Sequence, residues 1–279
     1  AADTIYLTCT NDSVIKHNVS RGAGTSAIEL YFTDRITVEW NEVYRARQKP
    51  TGADSNAIDP DKASTNALIQ YNYLHENGDG ILLCGFIYGS AVVRYNVIKD
   101  SESGKRYLNI HGDKGHNYVY NNIFYNSRSS AATFVSTSGD KNRYLNDTNN
   151  FHYLTNNIFY SPNHASARTD DGTSVIYSNN SYYNVPEIPQ EDTHAVVADP
   201  KFKNLAAVAG GIGSDVDITG FELQADSPLI SAGKAITEHP YTTIPVGTIT
   251  DFAGKTISAG GVDLGVYEFT GADPSIGDL

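Results

Sequence analysis

The chain has 279 residues, of which 40% are hydrophobic and 19% are charged, a balance typical of a folded globular protein rather than a disordered one. Its 32 acidic residues outnumber 20 basic ones, and the resulting net charge of −12 argues against a nucleic-acid partner, because phosphate binding requires a basic surface. The sequence contains no hydrophobic run long enough for a membrane span and too few cysteines for a disulfide framework.

A short phrase recurs along the first two thirds of the chain: an apolar, β-rich strand, then Asn, then another short strand. The recurring residues are Asn18, Asn41, Asn72, Asn96, Asn122, Asn157 and Asn180. Their spacing ranges from 23 residues (Asn18 to Asn41) to 35 (Asn122 to Asn157), so the longer intervals contain additional loops. A repeat of this length with several short strands predicts a β-solenoid, in which the Asn side chains stack as a hydrogen-bonded ladder.

A second strand precedes each of four of these Asn residues, and its alternating residues separate into two faces. The apolar rows, predicted to point inward, are Ile28, Ile58, Ile81 and Leu108, and Leu30, Pro60, Leu83 and Ile110. The outward rows are Glu29, Asp59, Leu82 and Asn109, and Tyr31, Asp61, Cys84 and His111. This separation supports the predicted register between coils.

From about Asp199 the pattern changes, with phrases such as Asp226-Ser-Pro-Leu-Ile230 and Val262-Asp-Leu-Gly-Val-Tyr-Glu268. This tail and the repeated body resemble secreted bacterial right-handed parallel β-helix proteins, and among enzymes the lacto-N-biosidase-type glycoside hydrolases. We therefore predict an all-β, right-handed parallel β-helix with coils over residues 1–198. Residues 199–279 are predicted to form an irregular C-terminal closing segment of the same domain.

The richest cluster of candidate catalytic residues is the run from Asp54 to Asp61. Asp59 and Asp61 are predicted to leave one strand face with Cα atoms about 6.6 Å apart, and Glu29 to lie one coil below Asp59. Carboxylates this close repel one another, so at least one is expected to have a raised pKa. Glycoside hydrolysis needs a protonated acid beside an ionised carboxylate, which this run offers.

The family resemblance implies that two aspartates close together on one coil act as acid and nucleophile. Asp54 with Asp61 and Asp59 with Asp61 both fit. We favour Asp54 with Asp61, because a turn and a strand end face one sugar from two sides. The residues predicted to contact substrate are Glu29, Tyr31, Trp40, Asn109 and His111.

Two other interpretations of the acidic strand are a calcium site, the one cofactor considered, and a plain solvated surface. Two other functions also fit the fold: a polysaccharide lyase that depends on Lys105 and Arg106, and a non-catalytic glycan-binding module. All three functions imply an oligosaccharide or polysaccharide partner and an extracellular or cell-surface location.

Two further predictions concern the first coil. Cys9 lies there, whereas Cys84 lies three coils away, about 14 Å along the solenoid, which is too far for a disulfide. Ile5-Tyr-Leu7 already matches a complete coil strand. A bare solenoid end exposes apolar core and unpaired backbone, so we expect a missing N-terminal domain or a second polypeptide to cap this coil.

Overall fold

The computed structural model describes residues 2–52, 54–85, 87–102, 104–111, 115–138, 151–170, 174–210, 216–257 and 261–271. Across these residues, the chain forms three parallel sheets of seven strands each, and each of the seven coils contributes one strand to every sheet. The only helices in these ranges are two single 3-10 turns, Leu205–Ala207 and Thr219–Phe221. The predicted all-β parallel β-helix is confirmed.

The strands follow one another coil by coil, in the order first, second and third sheet. They are β1 (Ile5–Thr8), β2 (Asn11–Lys16) and β3 (Val19–Arg21); β4 (Ile28–Tyr31), β5 (Asp34–Glu39) and β6 (Glu42–Tyr44); β7 (Asn56–Pro60), β8 (Ala67–Gln70) and β9 (Tyr73–His75); β10 (Asp79–Cys84), β11 (Gly89–Arg94) and β12 (Val97–Lys99); β13 (Arg106–His111), β14 (Gly115–Tyr120) and β15 (Ile123–Tyr125); β16 (Thr133–Ser138), β17 (Phe151–Thr155) and β18 (Ile158–Tyr160); and β19 (Ala167–Thr169), β20 (Val175–Ser178) and β21 (Ser181–Tyr183).

The first sheet has the predicted register. Ile28 pairs with Ile58, Ile58 with Ile81, and Ile81 with Leu108. All four side chains are fully buried in the core between the sheets. Because side chains alternate along a strand, the residue that follows each of these apolar residues faces outward. The register therefore places Glu29 beside Asp59 on the outer face.

The predicted Asn ladder is also present, in the turn between the second and third sheets. Asn72, for example, donates from its side chain to Asn96 Oδ1 at 2.9 Å, and its own Oδ1 accepts from Asn41 at 3.0 Å. The residue before every ladder Asn has a positive φ, as in Trp40 and Tyr95, so a left-handed residue turns the chain in each coil. At the last coil, Asn180 donates to Asp192 Oδ2, and this carboxylate ends the ladder.

The segment after β21 has two parts. Val185, Ile188 and Ala195 pack against the solenoid core, and Val196 forms a bridge with Ser181, so residues 185–196 cover the last coil. The described residues after 199 instead lie along the outside of the second and third sheets, where Phe252 packs on Tyr71. Closure of the last coil therefore begins before residue 199. The path of the described residues after 199 could not be predicted from the sequence, because that segment has no strand periodicity.

Cys9 and Cys84 form no disulfide, as predicted. Among the residues that the structure describes, no helix is long and apolar enough to cross a membrane.

Candidate active site

The acidic candidates meet on the outer face of the first sheet. Asp54 lies in the turn that enters β7, Asp59 lies within β7, and Asp61 directly follows it. Glu29 occupies β4, one coil below, in register with Asp59. The charges of these four carboxyl groups act on one another, so the structure brings them together as one cluster.

Asp59 departs from the sequence prediction in its accessibility. It lies in the outward row but is only 1% exposed. Its Oδ2 accepts hydrogen bonds from Ser26 Oγ at 2.7 Å and from Asn56 Nδ2 at 3.1 Å. Burial, and then the negative charge of Asp61, raise the pKa of Asp59 well above its usual range. Asp59 thus sits beneath the surface, where a sugar does not reach it without rearrangement.

Asp54 and Asp61 are both partly exposed, which makes them accessible to a substrate. Burial is the main cause of the raised pKa of Asp54, and the negative charge of Asp61 adds to it. His111 interacts electrostatically with both carboxylates and is likewise half-buried. Desolvation lowers the pKa of His111, although Asp54 and Asp61 oppose this shift.

Glu29 forms the lower edge of the cluster. Its carboxyl group interacts electrostatically with that of Asp3, a residue that the sequence analysis did not single out. Burial first, and then the negative charges of Asp3 and Asp61, raise the pKa of Glu29 to about 7. Asp3 precedes β1, outside the repeated strand, so the strand pattern contains no signal for it.

The basic residues considered for a lyase are already engaged. Arg106 binds both carboxylate oxygens of Asp79, with Nε 3.0 Å from Oδ1 and Nη2 3.1 Å from Oδ2. Lys105 Nζ lies 4.0 Å from the same carboxylate. The charges of Arg106 and Lys105 are therefore largely balanced by Asp79, whereas Lys62, the residue after Asp61, places its Nζ 5.7 Å from the centre of the Tyr31 ring.

Two predicted substrate contacts flank the acids along the solenoid axis. Tyr31 lies next to Asp61 in the neighbouring coil. The Asp61 backbone N–H donates a hydrogen bond of 2.8 Å to the carbonyl oxygen of Leu30, the residue before Tyr31. On the other side, Asn109 is 5% exposed and lies in register with Leu82, in the outward row that contains Asp59.

Trp40 lies elsewhere. It occupies the left-handed turn position between β5 and β6, at the corner of the second and third sheets. There its ring stacks on Tyr71 at 4.7 Å and meets the edge of Phe252 at 5.0 Å. The prediction that Trp40 contacts a substrate beside the aspartates is therefore wrong, because the turn directs its ring to a different face of the solenoid.

Two aromatic side chains that were not predicted as substrate contacts do lie beside the carboxyl cluster. Tyr6 is in register with Glu29, and Phe32 directly follows Tyr31. The alignment of Ile5 and Leu7 with Ile28 and Leu30 already places Tyr6 in the outward row, so the register was the signal for it. Phe32 lies in the following turn, which a strand alignment does not include.

Within the described ranges, no group of three or more His, Cys, Asp or Glu side chains is arranged to hold a metal ion. Calcium binding by the acidic run from Asp54 to Asp61 stays a prediction from the sequence.

Comparison with known proteins agrees with this architecture. A family model described as "Right handed beta helix region" matches residues 1–124. The lacto-N-biosidase of Bifidobacterium longum subsp. longum is 26% identical in an alignment that covers 91% of this chain but only 18% of that protein. The crystal structure of pectate lyase Pel9A aligns with 94% of this chain and 69% of its own, with a TM-score of 0.53 and 15% identity. The predicted resemblance is confirmed: the chain is a right-handed β-helix protein similar to carbohydrate-active enzymes.

Proposed function

We propose that this chain is a glycoside hydrolase that cleaves a neutral oligosaccharide outside the cell or at its surface. The observation that carries the proposal is the placement of Asp54 and Asp61 on either side of β7, where both are partly exposed and the charge of Asp61 acts on Asp54. Similarity to lacto-N-biosidase supports this reaction class, although the chain spans only 18% of that relative's length.

The two carboxyl groups suit different roles. Burial and the charge of Asp61 raise the pKa of Asp54, which favours its protonated form, so we assign Asp54 as the acid that protonates the leaving-group oxygen. Asp61 then stabilises positive charge at the sugar carbon, either as the nucleophile or as the base that activates water. His111 lies near both groups and is assigned to orienting them.

A polysaccharide lyase is the second candidate, and the fold of pectate lyase Pel9A is its support. A lyase that acts on uronates needs a positive charge to bind the substrate carboxylate. The carboxyl cluster repels such a substrate, and Asp79 already pairs with Arg106. The charge of the site therefore favours a neutral sugar and hydrolysis.

The test is incubation with two probes followed by mass spectrometry. One probe is a neutral tetrasaccharide ending in lacto-N-biose, and the other is trigalacturonate. We expect hydrolysis of the neutral probe, and a loss of about 10²–10⁴-fold in turnover for Asp54→Asn and Asp61→Asn. Asp12→Asn, an exposed aspartate on β2, serves as the control and keeps full turnover.

Three results would overturn the proposal. Unsaturated, ultraviolet-absorbing products from trigalacturonate would identify a lyase. Binding of either probe without any product would identify a glycan-binding module. Full turnover in both aspartate variants would remove Asp54 and Asp61 from the reaction.

A further inference from the structure

An aromatic surface lies beside the acidic cluster, on the first two coils. Tyr6 is 49% exposed and Phe32 is 43% exposed, although both are large apolar side chains. The Tyr6 and Tyr31 rings lie 6.2 Å apart, and the Tyr31 and Phe32 rings lie 4.8 Å apart in an edge-to-face arrangement. We call these three residues the aromatic shelf.

Packing of the fold does not account for the shelf. Its side chains lie outside the solenoid, whereas the core of these coils is formed by inward residues such as Ile28 and Leu30. Five further large apolar side chains are at least 36% exposed in the described chain. Four of them are aliphatic, and the fifth, Tyr241, stacks on His116 at 3.8 Å; the aliphatic ones are Val14, Val19, Ile176 and Val197. A contiguous exposed apolar patch, unlike a scattered residue, commonly marks a binding site.

The shelf is continuous with the proposed active site. Tyr6 is in register with Glu29, so Tyr6 lies one strand step of about 4.8 Å from the carboxyl cluster. Asp61 is joined to the strand of Tyr31 by the hydrogen bond of its N–H to Leu30. A chain of sugars that has one unit at the aspartates therefore has its neighbouring unit over the shelf.

The chemistry of the shelf indicates what binds there. Aromatic rings offer flat apolar faces, and the phenol groups of Tyr6 and Tyr31 offer hydrogen bonds at their rims. The faces of a pyranose ring are partly apolar, and its hydroxyl groups point outward from the rim. The Lys62 ammonium lies 5.7 Å from the centre of the Tyr31 ring, but the Asp3, Glu29 and Asp61 carboxyl groups outnumber it and disfavour an anionic sugar at this position.

We propose that Tyr6, Tyr31 and Phe32 form a binding subsite for a neutral pyranose unit of the oligosaccharide cleaved at Asp54 and Asp61. This inference rests on the proposed function and adds the direction in which the substrate extends, along the solenoid axis toward the first coil. The shelf contacts the substrate at a distance from the bond that breaks.

The experiment compares shelf variants with matched controls from the first coil. Tyr6→Ala and Phe32→Ala remove shelf rings, whereas Val14→Ala and Val19→Ala remove similarly exposed apolar side chains from the second and third sheets. Calorimetry in the Asp61→Asn background measures binding of the neutral tetrasaccharide without cleavage. We expect each shelf variant to weaken binding about tenfold, and both controls to bind like the parent.

Kinetics give the second measurement. In the otherwise intact chain, Tyr6→Ala raises KM for the tetrasaccharide about tenfold while thermal unfolding stays unchanged, and Tyr6→Phe restores most of the affinity. If the shelf variants bind and cleave the tetrasaccharide like the parent, the subsite is disproved while the hydrolase proposal stands. If no hydrolysis occurs but the shelf variants still lose binding, the proposed function fails and the subsite stands.

A protein partner on the first coil is the competing occupant. In that case the shelf variants and the valine controls would alter self-association in size-exclusion chromatography alike, and neither pair would change binding of the tetrasaccharide. That outcome would overturn the inference.

Discussion

Glu29 and Asp59 face each other across one parallel strand step, and only Glu29 reaches solvent. Ser26 and Asn56 cover Asp59 and donate hydrogen bonds to its carboxyl group, whereas Glu29 lies at the edge of the cluster, where the charge of Asp3 acts on it. Equivalent positions in neighbouring coils thus have different chemistry. The buried carboxyl supports the cluster from beneath, and the exposed groups remain for the substrate.

The Asn ladder is predicted to be a main source of stability in the solenoid. Asn96 is fully buried and donates to the carbonyl oxygens of Ile69 and Arg94 and to Asn122. Asn96→Ala leaves several of these groups buried without a partner, at a cost of roughly 1–3 kcal/mol each. We expect urea unfolding to show a loss of about 3 kcal/mol or more.

Asn18, at the first step of the ladder, provides the control. It is only partly buried, and the Lys16 carbonyl oxygen to which it donates is exposed to water. Asn18→Ala is therefore expected to cost less than about 1 kcal/mol. Equal losses in the two variants would show that the ladder does not contribute through burial of its hydrogen bonds.

The sequence predicted the repeat well because a solenoid stacks equivalent positions directly above one another. The spacing of Asn72 and Asn96, and the alternation around Ile58, were sufficient to obtain the register. The path of Phe252 was not predictable in this way, since the segment along the sides has no such period.

The site was predictable to the same extent as the register. Alternation placed Asp59 outward, but it contains no information on neighbours such as Ser26 that come from another coil and cover it. Trp40 was misplaced for a related reason: its position at a left-handed turn, rather than its distance in sequence, decides the face on which its ring lies.

The two thiols are predicted to differ in reactivity. Cys9 is exposed, and Cys84, on the outward row of β10, is only 3% exposed. A thiol reagent should therefore label one residue rapidly in the folded chain and two after denaturation. Finding no reactive thiol after denaturation would contradict the separation of the two coils.

The raised pKa of Glu29 predicts a dependence of stability on pH. Glu29 has a pKa of about 7 in the folded chain, against 4.5 as the ordinary value, so the folded state holds this proton more tightly than the unfolded state does. Its contribution therefore lowers the free energy of unfolding as the pH rises from about 4.5 to about 7. Glu29→Gln removes this contribution, so the variant should gain stability relative to the parent across that window. Because Glu29 is partly exposed and screened by water, we expect a gain on the order of 1 kcal/mol.

Glu76 offers a control with the opposite sign. It pairs with Arg45 at 2.8 Å, and although burial opposes the shift, this ion pair holds the pKa of Glu76 below its usual value. Its ionised form stabilises the folded state above the unfolded pKa, so Glu76→Gln should lose stability relative to the parent as the pH rises through about 4.5. Urea unfolding of the parent and both variants between pH 4 and pH 8 measures the two differences. If Glu29→Gln follows the parent at every pH, Glu29 does not hold its proton more tightly in the folded chain, and its raised pKa is disproved.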